Sequence, residues 1–277
     1  MSSATTSVTV GWLALREPAD AAARAVDLVA ELSSHLPTAS RLVVHDLGSG
    51  TGSMLRWLAP RLRSPQHWVL FDRDVDLLRL ALAGPMPCAA DGSPVTVETR
   101  CVDVTSADVD LSGAGLITAS ALLDLWTEPE LRHVVDQTVD AGSDVLFALS
   151  VSGRTSLSPP DPLDGPVVAA FNAHQRRVAR GTALLGPVAG TTAASLFLQA
   201  GLRVSARPSP WQLGPHNAEL TQEWLIGWVT AACQHAPGLQ SAAAPYVRRR
   251  LRQLADGGLR VVVDHLDVLA LPDPHRT

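Results

Sequence analysis

The chain contains no lysine: all 22 of its positively charged side chains are arginine. Without a lysine amine there is no Schiff base to a carbonyl substrate or to pyridoxal phosphate, and no Gly-Lys-Ser/Thr ending for a phosphate-binding loop, so those enzyme classes are excluded. Cysteine is scarce as well. Cys88, Cys101 and Cys233 are odd in number and far apart, and no Cys-x-x-Cys pair exists, so neither a disulfide scaffold nor a zinc site is indicated and no metal is expected. No uncharged apolar run reaches the ~20 residues of a membrane span. Residues Met1 to Val10 lack the basic and apolar regions of a signal peptide, so the expected location is cytoplasmic, with no membrane partner. The formal net charge of -5 gives no global attraction to nucleic acid, which is not expected as a partner. The one basic run, Arg248-Arg249-Arg250-Leu251-Arg252, is not interleaved with aromatics and reads as a solvated helix face.

What the chain does have is an apolar strand that ends in an acid and opens into three alternate glycines, Leu42 to Ser53. Glycine tolerates positive φ and carries no Cβ, so such a turn lets backbone approach a ligand closely. Asp46 narrows the choice of ligand, because a carboxylate there would repel a pyrophosphate and suits an ammonium group. The glycines stand at 48, 50 and 52, whereas a dinucleotide turn of the Gly-x-Gly-x-x-Gly type would need a third glycine at Ser53.

Strand-like and helix-like segments alternate from residue 42 to about 150, the pattern of a parallel sheet with crossover helices. The strands are Leu42–Leu47, His67–Phe71, Val95–Val102, Gly115–Ala119 and Ser143–Ser150, so Gly52, Asp72, Asp103, Ser120 and Ser150 lie at or past successive carboxyl ends, where open α/β sheets bind ligands. Helices are expected over Thr51–Leu62, after Asp74 as N-cap, and after the Thr127-Glu128-Pro129-Glu130 capping box. An amphipathic helix is expected over Pro18–Leu36. Ser152–Gly165 reads as a loop, Val167–Arg180 and Pro187–Ala200 as helices, and Leu202–Arg207 as a strand; helices over Glu219–Gln234 and Ala242–Ala255 precede a last strand, Leu259–Leu271. Residues 1–40 form a helical extension and 41–277 one domain with helical insertions near 152–186 and 209–256.

The ordered set Asp46-Leu47-Gly48-Ser49-Gly50-Thr51-Gly52, Phe71-Asp72, Val102-Asp103-Val104 and Ser120-Ala121-Leu122-Leu123-Asp124 resembles class I S-adenosylmethionine-dependent methyltransferases. That resemblance spans roughly Arg41 to Leu271. It implies an α/β, Rossmann-like, seven-stranded, mostly parallel sheet with an antiparallel last strand, an N-terminal helix and inserted helices. It also implies S-adenosylmethionine as methyl donor, with S-adenosylhomocysteine as product. By the same resemblance Gly48, Ser49, Gly50 and Gly52 face the methionine part with Asp46 near its ammonium, Asp72 with neighbouring Arg73 holds the ribose, Asp103 and Val104 hold adenine, and Ser120 and Leu122 flank the sulfonium. Arg16 or Arg56 reaches the cofactor carboxylate.

For the acceptor, Asp124 and Trp126 follow the fourth strand; Asp124 is the first candidate to orient the acceptor or take its proton, and Trp126 is read as substrate-binding or as packing. On the helix after strand five, His174 shares a face with Val167, Phe171 and Val178 and is read either as a base or as a buried, hydrogen-bonded histidine; Asn172 and Arg176 are candidate recognition groups. His45 reads as structural, Trp211 as a loop anchor, His216 as a surface residue, and Trp224 with Trp228 as packing or a subunit interface. The expected reaction is O- or N-methylation of a small molecule by a monomer or homodimer. The alternatives are a noncatalytic binder of S-adenosylmethionine or a metabolite and, less favoured, an NAD(P)-dependent oxidoreductase.

Overall fold

The computed structural model describes residues 9–36, 40–106, 109–179 and 181–272. The signal-peptide reading of the first ten residues, the Arg180 end of one expected helix and the end of the chain after residue 272 therefore lie wholly or largely outside the described residues. In chain order the elements are α1 (Val10–Ala23), α2 (Val26–His35), β1 (Leu42–Leu47), α3 (Ser53–Leu58), β2 (Gln66–Asp72), α4 (Val75–Ala83), β3 (Val95–Cys101) and β4 (Leu116–Ser120). They continue as α5 (Glu128–Asp140), β5 (Asp144–Ser158), α6 (Asp164–Gln175), β6 (Val178–Ala179), β7 (Thr182–Ala183), α7 (Ala189–Gln199), β8 (Arg203–Pro208), β9 (Trp211–Leu213), α8 (Ala218–His235), α9 (Gln240–Ala255) and β10 (Arg260–Leu271).

The main sheet has the order β3-β2-β1-β4-β5-β10-β8, with β9 paired to the far end of β10. Pairing is parallel from β3 through β5, and β10 is antiparallel to β5, β8 and β9. The fold is thus α/β and Rossmann-like, with its last strand reversed and a short additional strand, β9, beyond the seven expected. The order reverses between β1 and β4, and the carboxyl ends of the strands at such a switch point are where open α/β sheets bind ligands.

Sequence signals act locally as their chemistry requires. Asp74 caps α4 by accepting from the N–H groups of Asp76 and Leu77, and Thr127 with Glu130 forms the reciprocal capping box of α5. The near-continuous apolar runs of β1 and β4 are buried between two layers: Leu47, Phe71, Ile117 and Phe147 on one face with α5 and α7, Val44, Trp68, Leu116 and Leu146 on the other with α2 and α3. A third apolar cluster holds α1, α6, α8 and α9 on the outer ends of β5 and β10, through Trp211, Leu225, Trp228 and Tyr246.

Three expectations about elements are corrected. The single helix Pro18–Leu36 is two helices, broken at Arg24 (φ -55, ψ 135) and Ala25 (φ -71, ψ 100), because both residues make bonds to distant parts of the chain described below. The loop expected over Ser152–Gly165 is strand as far as Ser158, since the twelve-residue β10 offers a ladder along its whole length. The helix expected to run from Val167 to Arg180 stops at Gln175, and β6 and β7 form a hairpin around Gly181 (φ 82). Among the described residues no helix is long and apolar enough to cross a membrane.

The basic run also differs from its reading as a solvated face. Arg250 is fully buried and makes two hydrogen bonds to Asp164, whose Oδ1 also accepts from Tyr246, while Arg249 pairs with Asp161 at 2.8 Å. These residues clamp α9 to the β5–α6 connection.

Candidate functional site

The glycine turn after β1 is built by alternate left-handed residues: Gly48, Gly50 and Gly52 have φ of 60, 54 and 81°. A Cβ on Gly48 would stand 2.7 Å from the side chain of Leu122, so glycine is needed there for space as well as for backbone conformation. The turn is tied to the exit of β2. Ser49 N–H donates to Phe71 O at 2.9 Å and Gly50 N–H to Asp72 Oδ2 at 2.8 Å, while Asp72 Oδ1 accepts from Asp74 N–H. Each carboxylate oxygen of Asp72 keeps acceptor capacity for a second donor.

Beneath the turn lies Asp46, 1% exposed. Its Oδ1 accepts from Thr118 Oγ1 at 2.7 Å, and its Oδ2 has no hydrogen-bond partner. Burial pushes its carboxyl up to about 7, against the opposing pull of the Thr118 hydroxyl and the Arg24 guanidinium. Arg24, 2% exposed, reaches in from the break between α1 and α2. It donates to Ser53 Oγ at 3.1 Å and to Ser120 Oγ at 3.0 Å, lies over the Trp57 ring, and feels the charge of Asp46. A carboxylate and a guanidinium are therefore both buried at the glycine turn, the complement of the ammonium and carboxylate of an α-amino acid. The orphaned Asp46 Oδ2 and Ser49 Oγ are buried polar atoms that a ligand would satisfy.

Arg24 is the cation whose charge acts on Asp46, while Arg56 also reaches the turn, donating to Thr51 O with Nη1 3.4 Å from where a Gly52 Cβ would stand. Arg56 makes a bidentate pair with Glu17 at 2.7 Å for both bonds, and Arg16 pairs with Asp20 at 2.9 Å while lying over Trp211. Sequence reasoning missed Arg24 because its signal is slight: a lone cation in the stretch Ala21-Ala22-Ala23-Arg24-Ala25 of an apparently continuous helix.

Other expected residues fall around the same strand ends. Ser120 and Leu122 form the exit of β4, Leu122 against Gly48 and Ser120 against Arg24. Asp103 lies past β3 and accepts from Thr105, with Val104 buried beside it and Arg73 exposed after β2. Asp124, on the single turn after β4, has its carboxyl pushed up to about 6 by desolvation, while Arg16 and Arg177 favour its ionised form. The hairpin that carries Arg177 is docked next to it: Leu184 N–H donates to Arg177 O, and Leu185 N–H donates to Trp126 O at 2.8 Å.

The rest of the acceptor set is placed differently. Trp126 is buried at 3% exposure in the core with Leu131 and Leu185, so its packing reading is the structural one and its substrate-binding reading is corrected. His174 is half-buried on the α6–α8 seam, where it bonds Gln234 of α8 and burial lowers its imidazole from the ordinary value. Asn172 donates to Gly153 O at 2.7 Å, holding α6 on β5, so its amide donor is engaged in structure. Arg176 is exposed and passes over Gly186 at the hairpin base. His45 packs edge-on to Phe71, and burial lowers its imidazole to about 4. Trp211 anchors β9 by donating to Asp20, and Trp224 stacks on Trp228 inside the third core cluster.

Two surface grooves are lined by residues other than those of the glycine turn. One of about 520 Å³ runs between α8 and α9 and another of about 550 Å³ between α1 and the β9–α8 segment. Over the glycine turn α1 lies close, with Leu13 Cδ1 3.6 Å from where a Gly50 Cβ would stand, so the buried charges and strand ends locate the site better than the grooves do.

The sequence matches no protein-family model and no curated protein. Solved structures of similar fold include the YcgJ protein from Bacillus subtilis, at 11% identity over 90% of this chain and 100% of that one, with a TM-score of 0.48. The cyclopropane synthase MmaA2 from Mycobacterium tuberculosis is 10% identical over 88% of this chain and 83% of that one, with a TM-score of 0.46. Geranyl diphosphate C-methyltransferase from Streptomyces coelicolor, solved with S-adenosylhomocysteine, is 12% identical over 89% of this chain and 77% of that one, with a TM-score of 0.44. Likenesses of this degree decide neither activity nor acceptor; the chemistry of the site has to do so.

Proposed function

We propose that the protein transfers a methyl group from S-adenosylmethionine to an oxygen or nitrogen of a small-molecule acceptor. The observation that carries this reading is that Asp46 and Arg24 are both buried at the three-glycine turn, close enough to feel each other's charge, with Asp46 Oδ2 unpartnered. Such an arrangement fits an amino-acid end and is a poor host for a pyrophosphate. Asp46 holds the ammonium, Arg24 the carboxylate, and Gly48, Ser49, Gly50 and Gly52 the chain between them. Asp72 accepts from the ribose hydroxyls, with Arg73 exposed beside it. Asp103 takes the adenine amine, Val104 packs on the ring, and Ser120 and Leu122 line the sulfonium.

When bound, this donor supplies a methyl group on a positively charged sulfur, and its departure leaves S-adenosylhomocysteine. The protein's share is orientation and exclusion of water. Asp124, ionised at neutral pH and held so by Arg16 and Arg177, takes the proton that the acceptor oxygen or nitrogen loses as its bond to the methyl carbon forms. Arg177, whose charge acts on Asp124, and its neighbour Arg176 are the acceptor-recognition groups of this reading. The test is calorimetric titration with S-adenosylmethionine, S-adenosylhomocysteine and NAD, followed by a screen of metabolite extracts with labelled methyl donor. Binding of the first two and label transfer that depends on Asp124 support the reading; tight binding of NAD alone overturns it.

A further inference from the structure

Asp267 lies on β10, on the far side of β5 from the glycine turn, and no methyl-transfer step requires it. It is nonetheless 1% exposed, and its carboxylate gathers donors from three separate parts of the chain. Oδ1 accepts from Leu149 N–H at 2.7 Å and from Ser209 Oγ at 2.5 Å, and Oδ2 accepts from Ala25 N–H at 2.8 Å. The β5–β10 ladder is irregular here, shifting register between Leu266 and Val268, and Leu149 takes a left-handed φ of 57° that a leucine rarely adopts. The side chain of Asp267 thus captures the Leu149 N–H at the break in the ladder.

Two routes lead from this carboxylate to the donor site. Through Ala25, it holds the break between α1 and α2 open; Ala25 caps α2 without any side-chain bond of its own, and Arg24, the preceding residue, is carried to Ser53 and Ser120 by that break. Through Leu149, it fixes the bend in β5 next to Ala148, whose carbonyl accepts from Ala121 N–H at 2.9 Å. Ala121 also has a left-handed φ, 52°, and stands between Ser120 and Leu122. Two non-glycine residues in a costly conformation, Ala121 just past the end of β4 and Leu149 within β5, are thus linked through the Ala121–Ala148 bond, and the surrounding bonds must hold them.

We infer that Asp267 is a positioning residue that sets Arg24 and the Ser120–Leu122 exit of β4 around the methyl-donor site. This rests on the reading of that site as one for S-adenosylmethionine. A carboxylate is required because all three partners are donors. Asparagine at 267 has one acceptor oxygen and one donor group, so it must turn an N–H toward another N–H or toward the Ser209 hydroxyl.

The experiment is a double-mutant cycle on the affinity for S-adenosylhomocysteine, measured by calorimetry, with Asp267→Asn, Arg24→Met and the pair. Ala25→Pro is added as a milder perturbation that deletes only the Ala25 N–H. Its φ of -71° already suits proline, and Arg24 before it has the extended backbone that proline demands. The expected result is a ~10-fold or greater loss of affinity for Asp267→Asn and a smaller loss for Ala25→Pro. The loss for Ala25→Pro should shrink to less than about threefold in the Arg24→Met background, and that for Asp267→Asn should shrink as well, retaining the part carried through Leu149 and the Ser120–Leu122 exit. Thermal unfolding of the ligand-free variants separates this from general destabilisation, and Ala25→Pro alone decides if Asp267→Asn does not fold. Losses that multiply independently with Arg24→Met, or affinity unchanged while only the unfolding midpoint falls, would overturn the role of Asp267. Absence of binding by the unsubstituted protein would instead overturn the reading of the site on which it rests.

Discussion

Asp46 makes affinity for the methyl donor depend on pH in a direction that the structure fixes. In the ligand-free protein its carboxyl titrates at about 7 because burial disfavours the charge, while a bound ammonium requires the ionised form. Affinity is therefore present above pH 7 and lost as pH falls through it. With a pKa of about 7, nearly all molecules are ionised at pH 8 and about one in ten at pH 6, so the apparent Kd for S-adenosylhomocysteine should weaken ~10-fold between them. Binding at pH 6 should also release close to one proton. Calorimetric titration at pH 6, 7 and 8, each in buffers of different ionisation enthalpy, measures both quantities. Asp46→Asn, which cannot ionise, should bind weakly and show no such dependence. An affinity that is flat from pH 6 to pH 8, with no proton exchanged, would refute the reasoning, and one that tightens toward acid would reverse it. The same shift predicts that Asp46 contributes less stability to the ligand-free fold as pH rises from about 4 to 7, since over that window the folded state holds a proton that the unfolded chain releases.

Further outcomes follow from other parts of the site. Asp124→Asn should lower kcat by on the order of 10²-fold or more; in the unsubstituted enzyme, activity should fall as pH drops through about 6, a limb that a pH–rate profile would show missing in the variant. His174→Ala should keep turnover within about threefold across the active pH range, because the ring serves the α6–α8 seam; a large loss of kcat without loss of stability would restore it as a base. Gly48→Ala should cost about 1–2 kcal/mol from its left-handed backbone alone, and should weaken donor binding because its Cβ displaces Leu122. Arg250→Met should destabilise by about 3 kcal/mol, at the low end for a buried pair because Asp164 retains some exposure, while donor affinity of the folded fraction stays the same.

The parallel half of the sheet, the glycine turn and the acids at its strand ends were legible because their signals are local. The β1 run, the three glycines and the acids at strand ends are each set by residues adjacent in sequence, and the capping boxes and N-caps needed nothing else. What stayed hidden depends on contacts across the chain. Arg24 breaks its helix because Ser53, Ser120 and, through Ala25, Asp267 draw on that point, whereas helical periodicity continues through it. The outer half of β5 looks like a Ser-rich loop until β10 lies alongside it. The face expected to join Val167, Phe171, His174 and Val178 holds only for the first three, since Val178 lies beyond the helix on β6 and is exposed; periodicity does not say what covers a face either, and α8 covers this one. The arginine run had the same difficulty, since nothing local tells buried Arg250 from the exposed Arg248 and Arg252 of the same run.

The measurement that bears most directly on the central claim is calorimetric titration of the unsubstituted protein with S-adenosylhomocysteine, beside Asp46→Asn, Arg24→Met and Asp72→Ala, at pH 8. One site per chain is expected, weakened at least ~10-fold by each substitution, with no comparable binding of NAD. No binding of S-adenosylhomocysteine, or binding untouched by loss of Asp46 and Arg24, would contradict the account.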